Sequence, residues 1–168
     1  MKITEAKQVR ECVYKAIFAS LFVKQTLTSN EDTCNFWCID VNGELVYDKT
    51  NILSFLDENN NFNDEVKNGI CSFLDCYINN LNNFNKSIST HLKENFTLDM
   101  LAKSDLAIIY TALTELYINI DLSEKIIVSE AVELAKKYSS ENAYKFINGI
   151  LRNIAKELRN NEWSCIYS

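Results

Sequence analysis

Hydrophobic residues recur every three or four positions along most of the chain, which is the spacing of one face of an α-helix. None of the 168 residues is proline, the residue that breaks helices most strongly. Ser123 is a good N-cap for one helix, and Ser140 with Glu141 begins the last. The pattern predicts an all-α protein of about seven helices, over residues 4–23, 50–56, 63–94, 98–102, 105–119, 124–138 and 141–159. The asparagine-rich stretch NNLNNFN leaves open whether 63–94 is one helix or two.

Residues 27–50 do not follow the helical pattern. They hold an Asn42-Gly43 pair between two apolar runs, which is typical of a tight hairpin turn. A short hairpin and an irregular surface loop both fit this stretch, and the two alternatives stay open.

The two sides of the first helix differ in chemistry. One side carries small and apolar residues that we expect to face the core: Val9, Val13, Ala16, Ile17 and Ser20. The opposite side carries Lys7, Arg10, Tyr14 and Phe18 at spacings of three, four and four. Cations contact phosphates and aromatic faces stack on unpaired bases, so this stripe is a candidate site for single-stranded RNA. The alternative is that the rings pack against another helix and the charges only solvate its rim.

The last helix contains Gly149, one of only three glycines in the chain. Its apolar stripe is predicted to be buried and consists of Ala143, Phe146, Ile147, Ile150, Leu151, Ile154 and Leu158. Glycine inside a helix usually has a packing reason, and Gly149 stands beside Phe146 and Ile150. We therefore expect a close helix–helix approach at Gly149, where an added methyl would overpack the interface at a cost of about 1–3 kcal/mol.

The bulk composition is that of a globular protein, with 47% apolar and 24% charged residues. The length suits one domain or two tightly packed subdomains. The sequence has neither an apolar run of about 18 residues nor a signal-peptide pattern at its start, so we expect a cytoplasmic protein. Cys34–Cys38 and Cys71–Cys76 are too loosely spaced for a zinc site, and buried thiols explain them better. No metal is expected.

Catalytic groups are sparse. The sequence lacks a glycine-rich phosphate loop, and His91 is its only histidine, which makes a nucleophile–histidine arrangement implausible. Glu130 and Glu133 are followed by lysines at helix-pair spacing, so they fit a solvated salt-bridged face. We therefore expect neither an enzyme nor a cofactor.

The net charge is −6, which by itself disfavours a nucleic-acid binder. The charge is unevenly distributed, however. Residues 1–24 hold five lysines and arginines against two glutamates, which is +3, so the rest of the chain carries −9.

The C-terminal half resembles the NusB transcription antitermination family. The most specific stretch is SEAVELAKKYSSENAYKFINGILRNIAKEL, residues 129–158, which is similar to the family's pattern NEAVELAK, a short break, an acidic residue or two and KFVNGVL. LDMLAKSDLAIIYTALTEL, ISTHLKENF and VRECVYKAIFAS also look like family segments. The resemblance covers residues 7–24 and 64–158.

The resemblance implies a fold of two packed three-helix bundles. For this chain that gives one NusB-like domain, 1–168, with an N-terminal subdomain of about 1–92 and a C-terminal helical bundle of about 96–160. It also implies binding of boxA-type single-stranded RNA together with ribosomal protein NusE, in support of ribosomal RNA transcription by the RNA polymerase antitermination complex. The implied contacts, joined to the stripe read from the residues, are Lys2, Lys7, Arg10, Tyr14 and Phe18 at the first helix and Asn142, Tyr144 and Lys145 at the start of the last.

Departures from the family pattern bear on RNA affinity. The N-terminal arm KITEAKQVR holds one arginine where the family often has several, and fewer cations release fewer counterions from RNA. Asn142 stands where aspartate is usual, which removes a charge that would repel phosphate. The alternative function is a NusB-fold protein-interaction module with weak or no RNA binding. A domain of an RNA cytosine methyltransferase, to which such domains are also fused, is disfavoured because the chain has no cofactor-binding segment.

Overall fold

The structure, a computed structural model, describes residues 1–23, 36–59 and 61–159. The chain divides into two compact units, of which one comprises Met1–Asn79 and the other begins at Asn80. The division falls inside a long helix that contributes its first half to one unit and its second half to the other. The described ranges are mainly helical, which confirms the all-α prediction.

The first unit is built on α1 (Ile3–Ser20) and the first half of α3 (Asp64–His91). Ser20 Oγ and Tyr77 Oη lie 3.1 Å apart, and the backbone at Gly69 approaches the Val9 side chain. The predicted apolar face of α1 is buried, as expected from its spacing. The unit's core is formed by Val9, Val13, Ala16, Ile17, Trp37, Ile52, Val66, Ile70, Leu74 and Tyr77.

A two-stranded antiparallel hairpin follows, formed by β1 (Trp37–Ile39) and β2 (Leu45–Tyr47). Gly43 adopts φ +79° in the connecting turn, a conformation that glycine reaches without a steric penalty. The Trp37 indole N–H donates to the carbonyl of Ala16, 2.9 Å away, and so ties the hairpin to α1. Of the two alternatives, the hairpin is correct for residues 36–50, and residues 27–35 lie outside the described residues.

Helix α2 (Lys49–Leu56) begins where the spacing predicts a short helix. The Asp48 side chain caps it by accepting a hydrogen bond of 2.8 Å from the Asn51 N–H. Beyond it, α3 runs without interruption for 28 residues, so the asparagine-rich stretch does not split it.

The second unit contains the rest of α3, a 3-10 turn (Leu98–Met100), α4 (Lys103–Ile118), α5 (Glu124–Tyr138) and α6 (Ala143–Glu157). Helices α4, α5 and α6 pack against one another. Every residue from 107 to 116 is buried, which makes α4 the central helix of this unit. Ser123 caps α5 as predicted, accepting a hydrogen bond of 3.3 Å from the Lys125 N–H.

Two contacts anchor α3 within the second unit. His91 Nε2 lies 3.1 Å from Glu157 Oε1 of α6, and the Phe84 ring meets the Tyr117 ring of α4 edge-on at 5.0 Å. The second half of α3 is thereby held to both α4 and α6.

The expected close approach at Gly149 is wrong. A Cβ built there meets nothing within 4 Å, apart from its own helix, and Gly149 is exposed. Phe146, placed in the buried stripe by its apolar character, is 39% exposed. Buried positions on α6 centre on Ile147, Ile150 and Ile154. At 100° per residue, Gly149 lies on the outer side of the helix, whereas Phe146 lies at the edge of the buried stripe, about 40° from Ile150.

Candidate nucleic-acid interface

The first turn of α1 is fixed by Glu5. One oxygen of its carboxylate accepts a 2.9 Å hydrogen bond from the Lys2 backbone N–H, and the other accepts one of 2.9 Å from the Asn63 side-chain amide. These two hydrogen bonds hold the pKa of Glu5 below its ordinary value. They hold the start of α1 in place, while the Lys2 side chain is exposed.

The four residues of the predicted α1 stripe differ in their exposure. Lys7 is exposed and Phe18 is half-buried, but Arg10 is only 8% exposed and Tyr14 only 5%. The expectation that Arg10 and Tyr14 lie on an open face is therefore wrong. Other parts of the protein cover both side chains, so a ligand finds little of their surface. The Tyr14 ring lies 6.1 Å from the Phe18 ring.

The aromatic row of α1 extends one turn beyond the predicted stripe. The Phe18 ring meets the Phe22 ring edge-on at 5.1 Å, and the Phe22 side chain is exposed. Lys15 is also exposed on this helix and lies 3.8 Å from Glu11. The open part of α1 therefore presents Lys2, Lys7 and the edge of this row.

Helix α6 begins at an exposed corner of the second unit. Asn142 is its N-cap and is exposed, and Lys145 is exposed in the first turn. The Ala143 N–H donates to the Ser140 carbonyl at 3.0 Å, so the chain turns tightly into the helix. The helix begins at Ala143, two residues after the predicted start at 141. The positive end of the helix dipole adds to the attraction for an anion here.

Tyr144 is flanked by two ammonium groups. Lys136 Nζ, from the last turn of α5, lies 5.4 Å from the centroid of the Tyr144 ring, and Lys145 Nζ lies 6.0 Å from it. Both distances are within the range of cation–π attraction. The fold thus brings a half-buried ring and two cations together at the junction of α5 and α6.

Phe146 also lies in the first turn of α6, but about 200° around the helix from Tyr144, and the sequence prediction placed it in the core. Its ring is partly exposed one residue after Lys145. Its angle on α6 gives no signal of this exposure, because Phe146 lies only about 40° from the buried Ile150. Lys136 was also missed as a site residue, although the short α5–α6 connection predicts that the end of one helix lies near the start of the next.

The eight predicted site residues lie in two groups. Lys2, Lys7, Arg10, Tyr14 and Phe18 belong to the first unit, and Asn142, Tyr144 and Lys145 belong to the second. Within the second unit the three predicted residues share one helix turn, together with Phe146. Of the five predicted residues in the first unit, only Lys2, Lys7 and Phe18 offer surface to a ligand.

The described ranges contain no group of three or more histidine, cysteine, aspartate or glutamate side chains that could hold a metal ion. In the same ranges, no helix combines the length and the apolarity needed to cross a membrane. Cys12, Cys38, Cys71 and Cys76 are free thiols, whereas Cys34, Cys165 and the tail NEWSCIYS lie outside the described residues.

The chain is similar to known proteins over most of its length. The NusB family model matches residues 7–156. A transcription antitermination protein NusB of Ligilactobacillus salivarius is 33% identical over 145 residues, which cover 86% of this chain and 96% of the relative. One of Enterococcus faecalis is 31% identical over 153 residues, which cover 90% of this chain and 89% of the relative.

Solved structures agree with the fold. A structure of T. maritima NusB superimposes with a TM-score of 0.67 at 27% identity and covers 94% of both chains. A structure of antitermination factors NusB and NusE in complex with dsRNA superimposes with a TM-score of 0.64 and covers 92% of this chain and 98% of that chain. At 19% identity, the second likeness concerns the fold alone.

The two helical units define an all-α protein. Two cations and a half-buried aromatic ring form a surface site at the start of α6. The extent of the family match and the identity to the two relatives then settle the family. This chain belongs to the NusB family.

Proposed function

We propose that this chain is a transcription antitermination factor that binds boxA-type single-stranded RNA together with ribosomal protein NusE. The observation that carries the proposal is the Tyr144 ring flanked by two ammonium groups at the open start of α6. The names of its relatives support antitermination, and a relative of the same fold has been solved with NusE and RNA.

The residues at the start of α6 divide between two tasks. Lys145, with the N–H groups of the first helical turn, contacts phosphate. The Tyr144 ring stacks on an unpaired base, an interaction that contributes about 1–3 kcal/mol. The Asn142 amide both donates and accepts hydrogen bonds, so it can pair with a base edge, and it lacks a carboxylate's repulsion of phosphate.

On α1, the exposed Lys2 and Lys7 side chains contact phosphate, and Phe18 offers part of its ring. Arg10 and Tyr14 serve this face indirectly, since their burial supports the helix that carries Lys7. This assignment keeps the α1 site of the sequence prediction but moves two of its five residues from contact to support.

Charge-reversing variants test the proposed contacts on α1 and on α6 separately. We expect Lys145→Glu and Lys7→Glu each to lower affinity for a boxA-type RNA and to reduce the salt dependence of binding, because each removes a phosphate contact. Lys86→Glu is the matched control: it changes the charge equally at an exposed position of α3 that the proposal does not use. Equal affinity of all three variants and the wild type would remove the proposed site.

The acidic pI near 4.9 and the burial of Arg10 favour a second candidate, a protein-interaction module that keeps the fold and binds NusE with little or no RNA contact. Size-exclusion chromatography with purified NusE and RNA separates the two. A stable complex with NusE that excludes RNA at low salt supports the module, and co-elution of all three supports the antitermination factor.

A further inference from the structure

A groove leads away from Tyr144 along the second unit. One side is a row on α6 at four-residue spacing, Tyr144, Asn148, Arg152 and Lys156. The other side is α5, whose residues line the groove at Glu124, Lys125, Val128, Ser129 and Val132. Because residues four apart on a helix lie above one another, the α6 row forms one continuous wall.

The length of the groove suits a short stretch of chain. Twelve residues separate Tyr144 from Lys156, and at 1.5 Å per residue they span about 18 Å. Stacked nucleotides of one strand repeat about every 3.4 Å, so the wall matches roughly five of them. The groove begins at the ring that the proposed boxA site already uses.

The charge of the groove contrasts with that of the whole chain. Lys125, Arg152 and Lys156 are exposed along it, and Glu124 is the single carboxylate among its lining residues. In the part of the chain that the structure describes, no ion pair within 4.0 Å neutralises Arg152 or Lys156. A net positive groove on a protein of net charge −6 favours an anionic occupant.

The floor of the groove is apolar. Val128 and Ala155 are buried beneath it and Val132 is half-buried, while Asn148 and Ser129 add amide and hydroxyl groups at its edges. A phosphate backbone needs only the cations, whereas the faces of bases also need apolar or aromatic surface. The groove offers both along one line.

We propose that the α5–α6 groove is a second subsite for single-stranded RNA, which holds the nucleotides that continue beyond the boxA element. Arg152, Lys156 and Lys125 contact the phosphates, and Val128 and Val132 lie under the bases. The proposal rests on the proposed function, because it takes Tyr144 as the point where the two subsites meet.

The test compares RNAs of two lengths. Fluorescence anisotropy is measured with a labelled boxA-length RNA and with the same RNA extended by about five unpaired nucleotides, at either end in turn. The wild type binds one of the extended RNAs more tightly than the short RNA. The double variant Arg152→Glu/Lys156→Glu lowers the affinity for that extended RNA by at least about fivefold. It also reduces the slope of log affinity against log salt concentration by about 1.4 for the extended RNA, and it leaves the affinity for the short RNA unchanged.

Lys86→Glu/Lys93→Glu is the matched control, since it makes the same change in charge at exposed positions that do not line the groove. Thermal melts verify that both variants are folded. An unchanged gain in the Arg152/Lys156 variant overturns the subsite, as does an equal loss for both RNA lengths. A variant that loses NusE while keeping the extended RNA makes the groove a protein site instead. If the wild type binds neither RNA, with or without NusE, the proposed function fails and the subsite with it.

Discussion

Lys136 Nζ lies 5.4 Å from the centroid of the Tyr144 ring, and this contact joins the last turn of α5 to the first turn of α6. The same ring has Lys145 Nζ at 6.0 Å. Both ammonium groups lie within cation–π range of the ring, so they favour its present orientation before a ligand binds and lower the entropy cost of stacking. The proposed RNA contact at the start of α6 depends on this arrangement.

Replacing Tyr144 by leucine is expected to lower RNA affinity by roughly 5- to 150-fold, since stacking on one base contributes about 1–3 kcal/mol. Tyr144→Phe keeps the ring and is expected to retain most of the affinity. Tyr138→Leu is the control, because the Tyr138 ring has a similar ammonium neighbour, Lys137 Nζ at 5.1 Å, and is also half-buried. Equal losses in the Tyr138 and Tyr144 variants would contradict a specific role for Tyr144.

The side chains of Lys7 and Arg10 are expected to respond differently to charge reversal. Arg10 is buried, so Arg10→Glu places an unmatched carboxylate inside the protein and lowers the free energy of unfolding by about 2 kcal/mol or more. Lys7→Glu, at an exposed position, changes it by less than about 0.5 kcal/mol. Urea denaturation of the two variants measures both values, and equal stabilities would contradict the burial of Arg10.

Gly149→Ala is expected to stabilise the protein by about 0.5–1 kcal/mol. Alanine has the higher helix propensity, and the added methyl enters open space. Gly43→Ala is the opposite case, because the φ of +79° at Gly43 strains any residue with a Cβ. Denaturant unfolding of the two variants should give shifts of opposite sign, and a loss of stability in Gly149→Ala would restore the close-packing hypothesis.

Alkaline pH is expected to destabilise the protein through Tyr77. Burial raises the pKa of Tyr77 to about 12, whereas an unfolded tyrosine ionises near 10. The folded state therefore binds the Tyr77 proton more tightly. The resulting contribution to the free energy of unfolding is fully present below about pH 10 and is lost as the pH rises through about 12. Tyr77→Phe should flatten this decline in measurements of unfolding free energy between pH 8 and pH 12, and an unaltered slope in that variant would contradict the prediction. Tyr47, whose pKa is also raised by burial and by Asp75, contributes in the same direction.

The cysteines of the first unit are expected to react at different rates. Burial raises the pKa of the Cys12 thiol to about 11 and raises that of Cys71, so little reactive thiolate forms at pH 8. Cys38 is exposed on β1 and should be alkylated first by limiting iodoacetamide. Peptide mass spectrometry identifies each site, and the difference should vanish in urea. Alkylation of Cys12 in the folded protein as fast as Cys38 would contradict the burial.

Helical periodicity predicted most of the fold because a helix with an apolar stripe along one side buries that stripe in any stable tertiary arrangement. This holds for Val9, Val13 and Ile17 on α1 and for Ile147, Ile150 and Ile154 on α6, all of which are buried. The Asn42-Gly43 turn narrowed residues 27–50 to two alternatives, and only the pairing of Trp37 with Tyr47 decides between them.

The errors at the candidate site have a common physical origin. Charge and hydrophobicity do not by themselves determine exposure. The charged Arg10 is buried, and the apolar Phe146 is exposed. Burial at the edge of a helix face depends on which other segments cover it, and a single sequence does not contain that information for Arg10 or Tyr14. For Gly149 it does, since Gly149 lies about 100° from Ile150 and about 160° from Ile147. For Phe146 it does not, since Phe146 lies about 40° from Ile150, the same angle at which the buried Leu151 lies from Ile147.

Equilibrium titration of a labelled boxA-type RNA with the wild-type protein, alone and with NusE, tests the central claim most directly. We expect saturable binding whose affinity falls as the salt concentration rises. The affinity should be higher than that for a scrambled RNA of the same length and should rise when NusE is added. Binding that is absent with and without NusE, or that is identical for the scrambled RNA, would contradict it.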